Sequence, residues 1–262
     1  MKYKVCTYTN RDTYLDRLNK SYSKFYKGEI FILKQNENVY NNFYELISLI
    51  KTMYSDYDYI LVVDDDIEFL NDTTINDTIN FMEKNNISLA GSYMTFEDVY
   101  SSDLKPVLDV GWIWGYYMMF KFKDLPDIEN LYRRESKFMN CESIDLNKVA
   151  HQDIDFSFRF LEAGKKIGVA PVVVKHLPHY NQRKKEKIND PVRLKLIAKE
   201  NAVEFYKANK LYFNSEKIDI YFLENGELDL DATLGRYFLK KQFKDYQKYI
   251  KLKQLDFKSL YI

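Results

Sequence analysis

The stretch Tyr59-Ile60-Leu61-Val62-Val63-Asp64-Asp65-Asp66-Ile67-Glu68-Phe69-Leu70 decides the reading of this chain. An apolar, β-favouring run ends abruptly in three consecutive carboxylates. The first half has the composition of a strand buried on both faces. Nothing about a strand's stability calls for the second half. Adjacent like charges repel, and each disfavours ionisation of the next. A divalent cation or a set of hydrogen-bond donors relieves that repulsion. Hard cations such as Mg²⁺ or Mn²⁺ take oxygen ligands, and Mg²⁺ commonly takes one or two carboxylates plus phosphate oxygens. The stretch therefore points to a metal ion and a phosphorylated ligand at the end of a buried strand. The plain alternative is an acidic turn, since Asp is common in turns.

Working outward, residues 3–9 read as a first strand, and Thr13 to Phe25 has helical spacing through Tyr14, Leu18, Tyr22 and Phe25. A second strand follows at Glu29–Lys34. A helix follows at Asn42–Tyr54, with Phe43, Leu46, Ile47 and Ile50 on one face. After the Tyr59–Val63 strand come a helix at Thr73–Asn85 and a strand at Ile87–Ser92. This alternation predicts an α/β layered fold with a mainly parallel sheet. Ligands of such sheets bind beyond the carboxyl ends of the strands. Both Thr9–Asp12 and Asp64–Asp66 fall at such ends. Gly111–Phe122 reads as a further strand, with Gly115 marking a close backbone approach or a bulge. A helix at Asp153–Ala163 ends at Gly164, and a strand at Lys166–Val174 leads into His176 and His179.

The 262 residues suit one large domain, or one domain with a smaller appendage. Lys+Arg and Asp+Glu both number 39, so overall charge gives no reason to expect a polyanionic partner such as nucleic acid. The 23 tyrosines accompany an abundance of Lys, Asn and Ile, which a codon bias explains without any role for stacked aromatic platforms. Cys6 and Cys141 have no metal-ligand spacing and fit a reducing compartment. The N-terminus lacks the apolar segment of a signal peptide, and no run reaches the ~18 apolar residues of a spanning helix. A cytoplasmic location follows as the expectation. The domain boundary is expected at 185/186, giving residues 1–185 and a helical and hairpin extension over 186–262. Within that extension a helix is expected at 191–208, a hairpin around Asn225-Gly226 and a basic helix at 234–253. That last helix either packs on the parent domain or rests on the inner face of a membrane as a peripheral contact.

Three segments together resemble the glycosyltransferase A fold, in particular the family 2 type of nucleotide-sugar-dependent transferases. Thr7-Tyr8-Thr9-Asn10-Arg11 resembles the strand end that cups the nucleotide base. Val63-Asp64-Asp65-Asp66-Ile67 matches an Asp-x-Asp motif after a hydrophobic strand. His151-Gln152-Asp153-Ile154-Asp155 resembles the family's Glu-Asp-x-Asp helix start. Arg159, Gly164 and the later strand ending at His176 resemble the family's Arg, Gly and His-terminated strand beyond that helix start. The resemblance spans about residues 3–180. It departs from the pattern at Gln152, where the family usually has Glu.

The resemblance implies a Rossmann-like three-layer α/β/α sandwich and a metal-dependent, inverting hexosyltransferase using Mn²⁺ or Mg²⁺. The donor would be a nucleotide-diphosphate sugar, in the first place a UDP-sugar. The acceptor would be a glycan, a glycolipid or a protein. Thr7, Thr9, Arg11, Asp12, Asp64, Asp65, Trp114 and Gly115 would contact the donor. Asp66 and His176 would bind the metal, with His179 as the rival histidine. Asp153 would be the catalytic base, and Trp112 and Asp155 would line the acceptor side. Alternation along the expected strand places Trp112 and Trp114 on one face, where core packing is the competing role. Asp155 competes with a helix-capping role. Two other classes share features with this reading. A sugar nucleotidyltransferase would need a Gly-rich loop after the first strand, and the chain has no glycine before Gly28. A degenerate sugar-binding protein would keep the fold without turnover, and Gln152 is its best support.

Overall fold

The computed structural model describes residues 1–9, 11–34, 39–95, 104–108, 110, 113–126 and 152–177. The expected elements of the 186–262 extension, the boundary at 185/186, Trp112 and His179 lie outside the described residues. The strands are β1 (Tyr3–Thr9), β2 (Phe31–Lys34), β3 (Tyr59–Val63), β4 (Ile67–Phe69), β5 (Leu89–Thr95), β6 (Val107–Leu108), β7 (Tyr117–Lys121) and β8 (Ile167–His176). The helices are α1 (Asp12–Phe25), α2 (Val39–Met53), α3 (Thr74–Asn85) and α4 (Gln152–Glu162). They form the expected α/β architecture around one sheet, ordered β2-β1-β3-β7-β5-β8-β4, with β6 paired to β8.

Strand β3 is buried along its whole length because β1 flanks it on one side and β7 on the other. Its side chains alternate between two cores. Ile60 and Val62 join Phe43, Ile47 and Ile50 of α2 and Phe156 and Phe160 of α4 on one face. Leu61 and Val63 join Leu18 and Tyr22 of α1 and Ile75, Ile79 and Met82 of α3 on the other. Each helix therefore covers the sheet with the face its 3.6-residue apolar spacing prescribes. A fully buried side chain of this size contributes about 1.5–3 kcal/mol relative to an exposed one.

The expected mainly parallel sheet is corrected to a mixed one. Strand β7 runs antiparallel to both of its neighbours, β3 and β5. Its first residue, Tyr117, pairs with Val63 at the carboxyl end of β3, so it can only run back down the sheet. The expected strand over 111–122 is likewise shortened. Residues 115 and 116 form a turn, and the strand starts at Tyr117. Trp114 therefore lies in the approach to the strand. Two short strands, β4 and β6, extend the sheet along the edge of β8 that faces away from β5.

At the opposite end of the sheet, Lys121 is buried and its ammonium lies 2.8 Å from Glu83, which also accepts the Tyr59 hydroxyl. The Asn71 side chain caps α3 by accepting the backbone N–H groups of Thr73 at 3.0 Å and Thr74 at 2.9 Å. Helix α4 ends as expected at Gly164, whose φ of 72° is left-handed and suits a residue without Cβ. Gly168 has a different reason. A Cβ there would lie 2.8 Å from the Val107 carbonyl oxygen, so β6 closes on β8 only over a bare backbone. Gly168→Ala should cost roughly 1–3 kcal/mol of unfolding free energy through that overpacking. Urea denaturation of the two proteins checks this, with an unchanged slope and a lower midpoint as the expected outcome.

Candidate functional site

Four stretches meet at the carboxyl edge of β1, β3 and β8. They are the end of β1 with the start of α1, the Asp64–Asp66 turn, the residues leading into β7, and the first turn of α4. The sheet's register brings the first of these together. Strand β1 pairs with β3 from Tyr3↔Tyr59 to Thr7↔Val63, so Thr9 and Arg11 emerge beside the acidic triplet. The turn Asp65–Asp66 feeds β4, and β4 lies antiparallel on β8 with Ile67 opposite His176. The Leu177 N–H donates to the Asp66 carbonyl at 2.7 Å and fixes that register at its end.

His176 is thereby set beside the triplet, its Nε2 3.6 Å from Asp66 Oδ1. Donor atoms of Asp64, Asp66 and His176 all lie within 4.8 Å of one another. Two carboxylate oxygens and an imidazole nitrogen are a donor set that a divalent cation accepts. Asp66 is buried, while Asp64 and His176 are partly exposed. Burial, then the carboxylates of Asp66 and Asp65, pushes the Asp64 carboxyl well above the ordinary carboxylate range. Arg11 opposes that shift and Asp153 adds to it. A cation among these groups would reverse the sign of the local field. Asp64 thus joins the pair Asp66 and His176 anticipated from sequence. The β4–β8 register, which sets His176 beside Asp66, cannot be read from so short a strand.

Asp65 points elsewhere. Its carboxylate accepts the Arg11 Nε–H at 3.0 Å, a second bond from Arg11 Nη2, and the Thr9 hydroxyl. Thr9, Arg11 and Asp65, all anticipated as donor contacts, are therefore brought together chiefly as partners of one another. Thr7 is wholly buried inside β1 and is not brought to the surface of the site. Asp12, in the first turn of α1, is exposed and lies 2.8 Å from Lys34 Nζ.

Asp153 reaches the same corner from α4. Its Oδ2 accepts the Gly115 N–H at 3.1 Å. A Cβ at Gly115 would lie 3.4 Å from Asp153 Cβ, so the close neighbour of this glycine is the Asp153 side chain. Ser157, one helical turn on, donates to the Asp153 carbonyl at 2.7 Å and accepts the Ile113 N–H at 2.9 Å. Together these bonds clamp residues 113–115 to the start of α4. The sequence pattern did not single out Ser157, although its i+4 spacing from Asp153 places both on one helix face. Trp114 is half-buried and packs against both cores. Asp155 lies in α4, two positions past Asp153. Tyr116 backs the His176 ring edge-on at 6.0 Å, and its hydroxyl donates to the Ser92 carbonyl at 2.6 Å.

No protein-family model matches the sequence, and no curated protein matches it. In fold the chain resembles solved glycosyltransferases. GalNAc-T7, solved with UDP, GalNAc and Mn²⁺, aligns with a TM-score of 0.48 and 10% identity over 68% of this chain and 44% of its own. The mannosyltransferase PcManGT from Pyrobaculum calidifontis, solved with GDP-Man and Mn²⁺, aligns at 0.46 and 11% identity over 97% and 84%. TarS from S. aureus aligns at 0.44 and 12% identity over 97% and 90%. These likenesses concern fold. Among the described residues no helix is long and apolar enough to cross a membrane.

The clamp on α4 makes a direct prediction. Ser157→Ala strands the buried Ile113 N–H and should destabilise the chain by about 1–3 kcal/mol. Thermal unfolding checks this, and hydrogen exchange at residues 113–115 should accelerate in the same variant.

Proposed function

We propose that the chain is a metal-dependent glycosyltransferase that moves a hexose from a nucleotide-diphosphate sugar, in the first place a UDP-sugar, to a hydroxyl acceptor with inversion. One observation carries the reading. The fold assembles Asp64, Asp66 and His176 within 4.8 Å at the carboxyl edge of the sheet, and Asp153 lies close enough to raise the Asp64 carboxyl. A metal-ligand group and a separate carboxylate at one strand edge are what displacement of a diphosphate by a hydroxyl requires.

Asp64, Asp66 and His176 would hold Mn²⁺ or Mg²⁺, which supplies positive charge against the departing diphosphate. Asp153 takes the proton of the acceptor hydroxyl as that oxygen attacks the anomeric carbon. The bond from the anomeric carbon to the diphosphate oxygen breaks as the new glycosidic bond forms. The electron pair leaves with the nucleotide, and the proton stays on Asp153. Attack from the side opposite the leaving group inverts the anomeric centre. The Gly115 N–H holds the Asp153 carboxylate, and the Ser157 bonds hold the turn of helix that carries it. A carboxylate fixed in this way loses less freedom on reaching the reacting oxygen. Trp114, half-buried beside Gly115, would be the candidate contact for the apolar side of a sugar ring. A glycan, glycolipid or protein hydroxyl would enter from the Asp153 side, with Trp112 and Asp155 as candidate acceptor contacts. The chain would act in the cytoplasm, with the basic C-terminal segment as its point of peripheral contact with the inner face of a membrane. No nucleic-acid partner is called for.

A panel of nucleotide sugars in a thermal-shift assay, with and without Mn²⁺, tests the class. The expected result is stabilisation by a UDP-sugar only when the metal is present. For the base, Asp153→Asn should lower the transfer rate roughly 10²- to 10⁴-fold and leave UDP binding almost unchanged. Retained turnover in that variant would remove Asp153 from the role. Stabilisation by donor and Mn²⁺ with no transfer or hydrolysis in the wild-type chain would instead favour a binding protein without turnover.

A further inference from the structure

Three carboxylates in succession would all be available to a cation if the backbone were the only constraint. The fold treats them differently. Asp65 is 2% exposed, yet it is not among the residues whose donor atoms converge. Its two oxygens face Arg11 and Thr9. Arg11 Nε donates to Oδ2 at 3.0 Å, and Nη2 donates to Oδ1. This is the two-pronged pairing that a planar guanidinium makes with a carboxylate. The Thr9 hydroxyl donates to Oδ2 and accepts the Arg11 backbone N–H at 2.8 Å, which ties the end of β1 into the same knot. The Arg11 guanidinium also lies 4.8 Å from the centre of the Tyr14 ring, one turn along α1. Its Nη2 reaches Asp66 Oδ2 at 3.3 Å, on the oxygen that does not face His176.

We propose that Arg11 is the positioning residue of this corner, capturing Asp65 so that the chain presents only Asp64 and Asp66 of the triplet to a divalent cation. For the role of Asp64 and Asp66 this rests on the metal reading above; the Arg11–Asp65 pair stands without it. A buried carboxylate that loses its partner is strongly unfavourable, so Arg11 and Asp65 depend on each other for folding. The contact to Asp66 falls on Oδ2, whereas His176 faces Oδ1, so Arg11 does not occupy the oxygen turned toward the imidazole. Lysine is a poor substitute, because one ammonium cannot span both oxygens of Asp65 and reach Asp66 as well.

The test uses the full chain, Mn²⁺ alone as the probe, and two readouts independent of turnover. Without metal, Arg11→Gln should lower Tm by roughly 5–15 °C, since it leaves the buried Asp65 carboxylate without its guanidinium partner. Adding Asp65→Asn to Arg11→Gln should restore more than half of that loss, because the pair is then replaced by two neutral groups. Arg11→Lys should recover less than the double variant does. In titration calorimetry the charge-balanced double variant should bind one Mn²⁺ within about threefold of the wild-type affinity. Asp66→Asn should weaken binding by roughly tenfold or more. Additive Tm losses for Arg11→Gln and Asp65→Asn would overturn the capture of Asp65, whatever the metal does. A double variant that loses Mn²⁺ as heavily as Asp66→Asn would show Asp65 to be a ligand and overturn the division of labour. A wild-type chain that binds no Mn²⁺, with Tm losses still non-additive, would overturn the metal reading and with it the sorting of ligands.

Discussion

The pairing of β4 with β8 holds this site together. Strand β4 has only Ile67, Glu68 and Phe69, and it begins directly after the last carboxylate of the triplet. Its register sets Ile67 opposite His176, and the Leu177 N–H closes on the Asp66 carbonyl. A slip of one residue would reverse the faces of the strand and carry the imidazole away from Asp66. So short a strand cannot hold its register by backbone bonds alone. Apolar packing does it. Ile67 and Phe69 are buried, and the Phe69 ring meets Tyr22 at 5.7 Å and Tyr26 at 5.3 Å. The hydrophobic face of α1 therefore decides where a histidine more than a hundred residues away along the chain comes to rest.

Electrostatics completes what packing begins. Three adjacent carboxylates on one turn are unfavourable unless each finds a different environment. Asp65 is matched with a guanidinium and a hydroxyl from the end of β1. Asp66 lies between that guanidinium and His176. The Asp64 carboxyl is pushed up by burial and by its neighbours, with Arg11 opposing the shift. Asp153, brought in by the first turn of α4, adds to this concentration of negative charge from the other side. The corner concentrates negative charge, and the proposed chemistry would set a cation against it.

Much of this was legible in the sequence. The apolar spacing of α1, α2 and α3 and the fully apolar β3 announce their elements, because periodicities of 3.6 and 2 are local properties. The triplet, Thr9, Arg11, Asp153 and His176 stand out for a similar reason: they are polar groups placed where strands end or a helix begins. The elements that escaped are those whose existence depends on a distant partner. Strands β4 and β6 are too short to show a period, and β4 reads as the tail of the run that contains β3. The direction of β7 depends on which edge of the sheet the chain re-enters, which residue order along the strand does not encode. The run over 111–122 looked like one strand because Trp114, Tyr116 and most residues of β7 are apolar or aromatic. Trp114 is instead half-buried in the approach to β7 by the cores it touches.

The sequence by itself determined the layers, the edge at which polar groups collect, and the residue types available there. These follow from local patterning, since a buried strand must be apolar and charges must wait for its end. Only the tertiary structure decided which carboxylate meets which partner. Asp64, Asp65 and Asp66 are identical in chemistry and consecutive in the chain, so nothing local separates them. Their surroundings differ because β1 presents Arg11 and Thr9 to one, β8 presents His176 to another, and α4 brings Asp153 close enough to be felt by the third. Charge interactions fall off over a few ångströms, and those distances exist only once strands distant in sequence are paired.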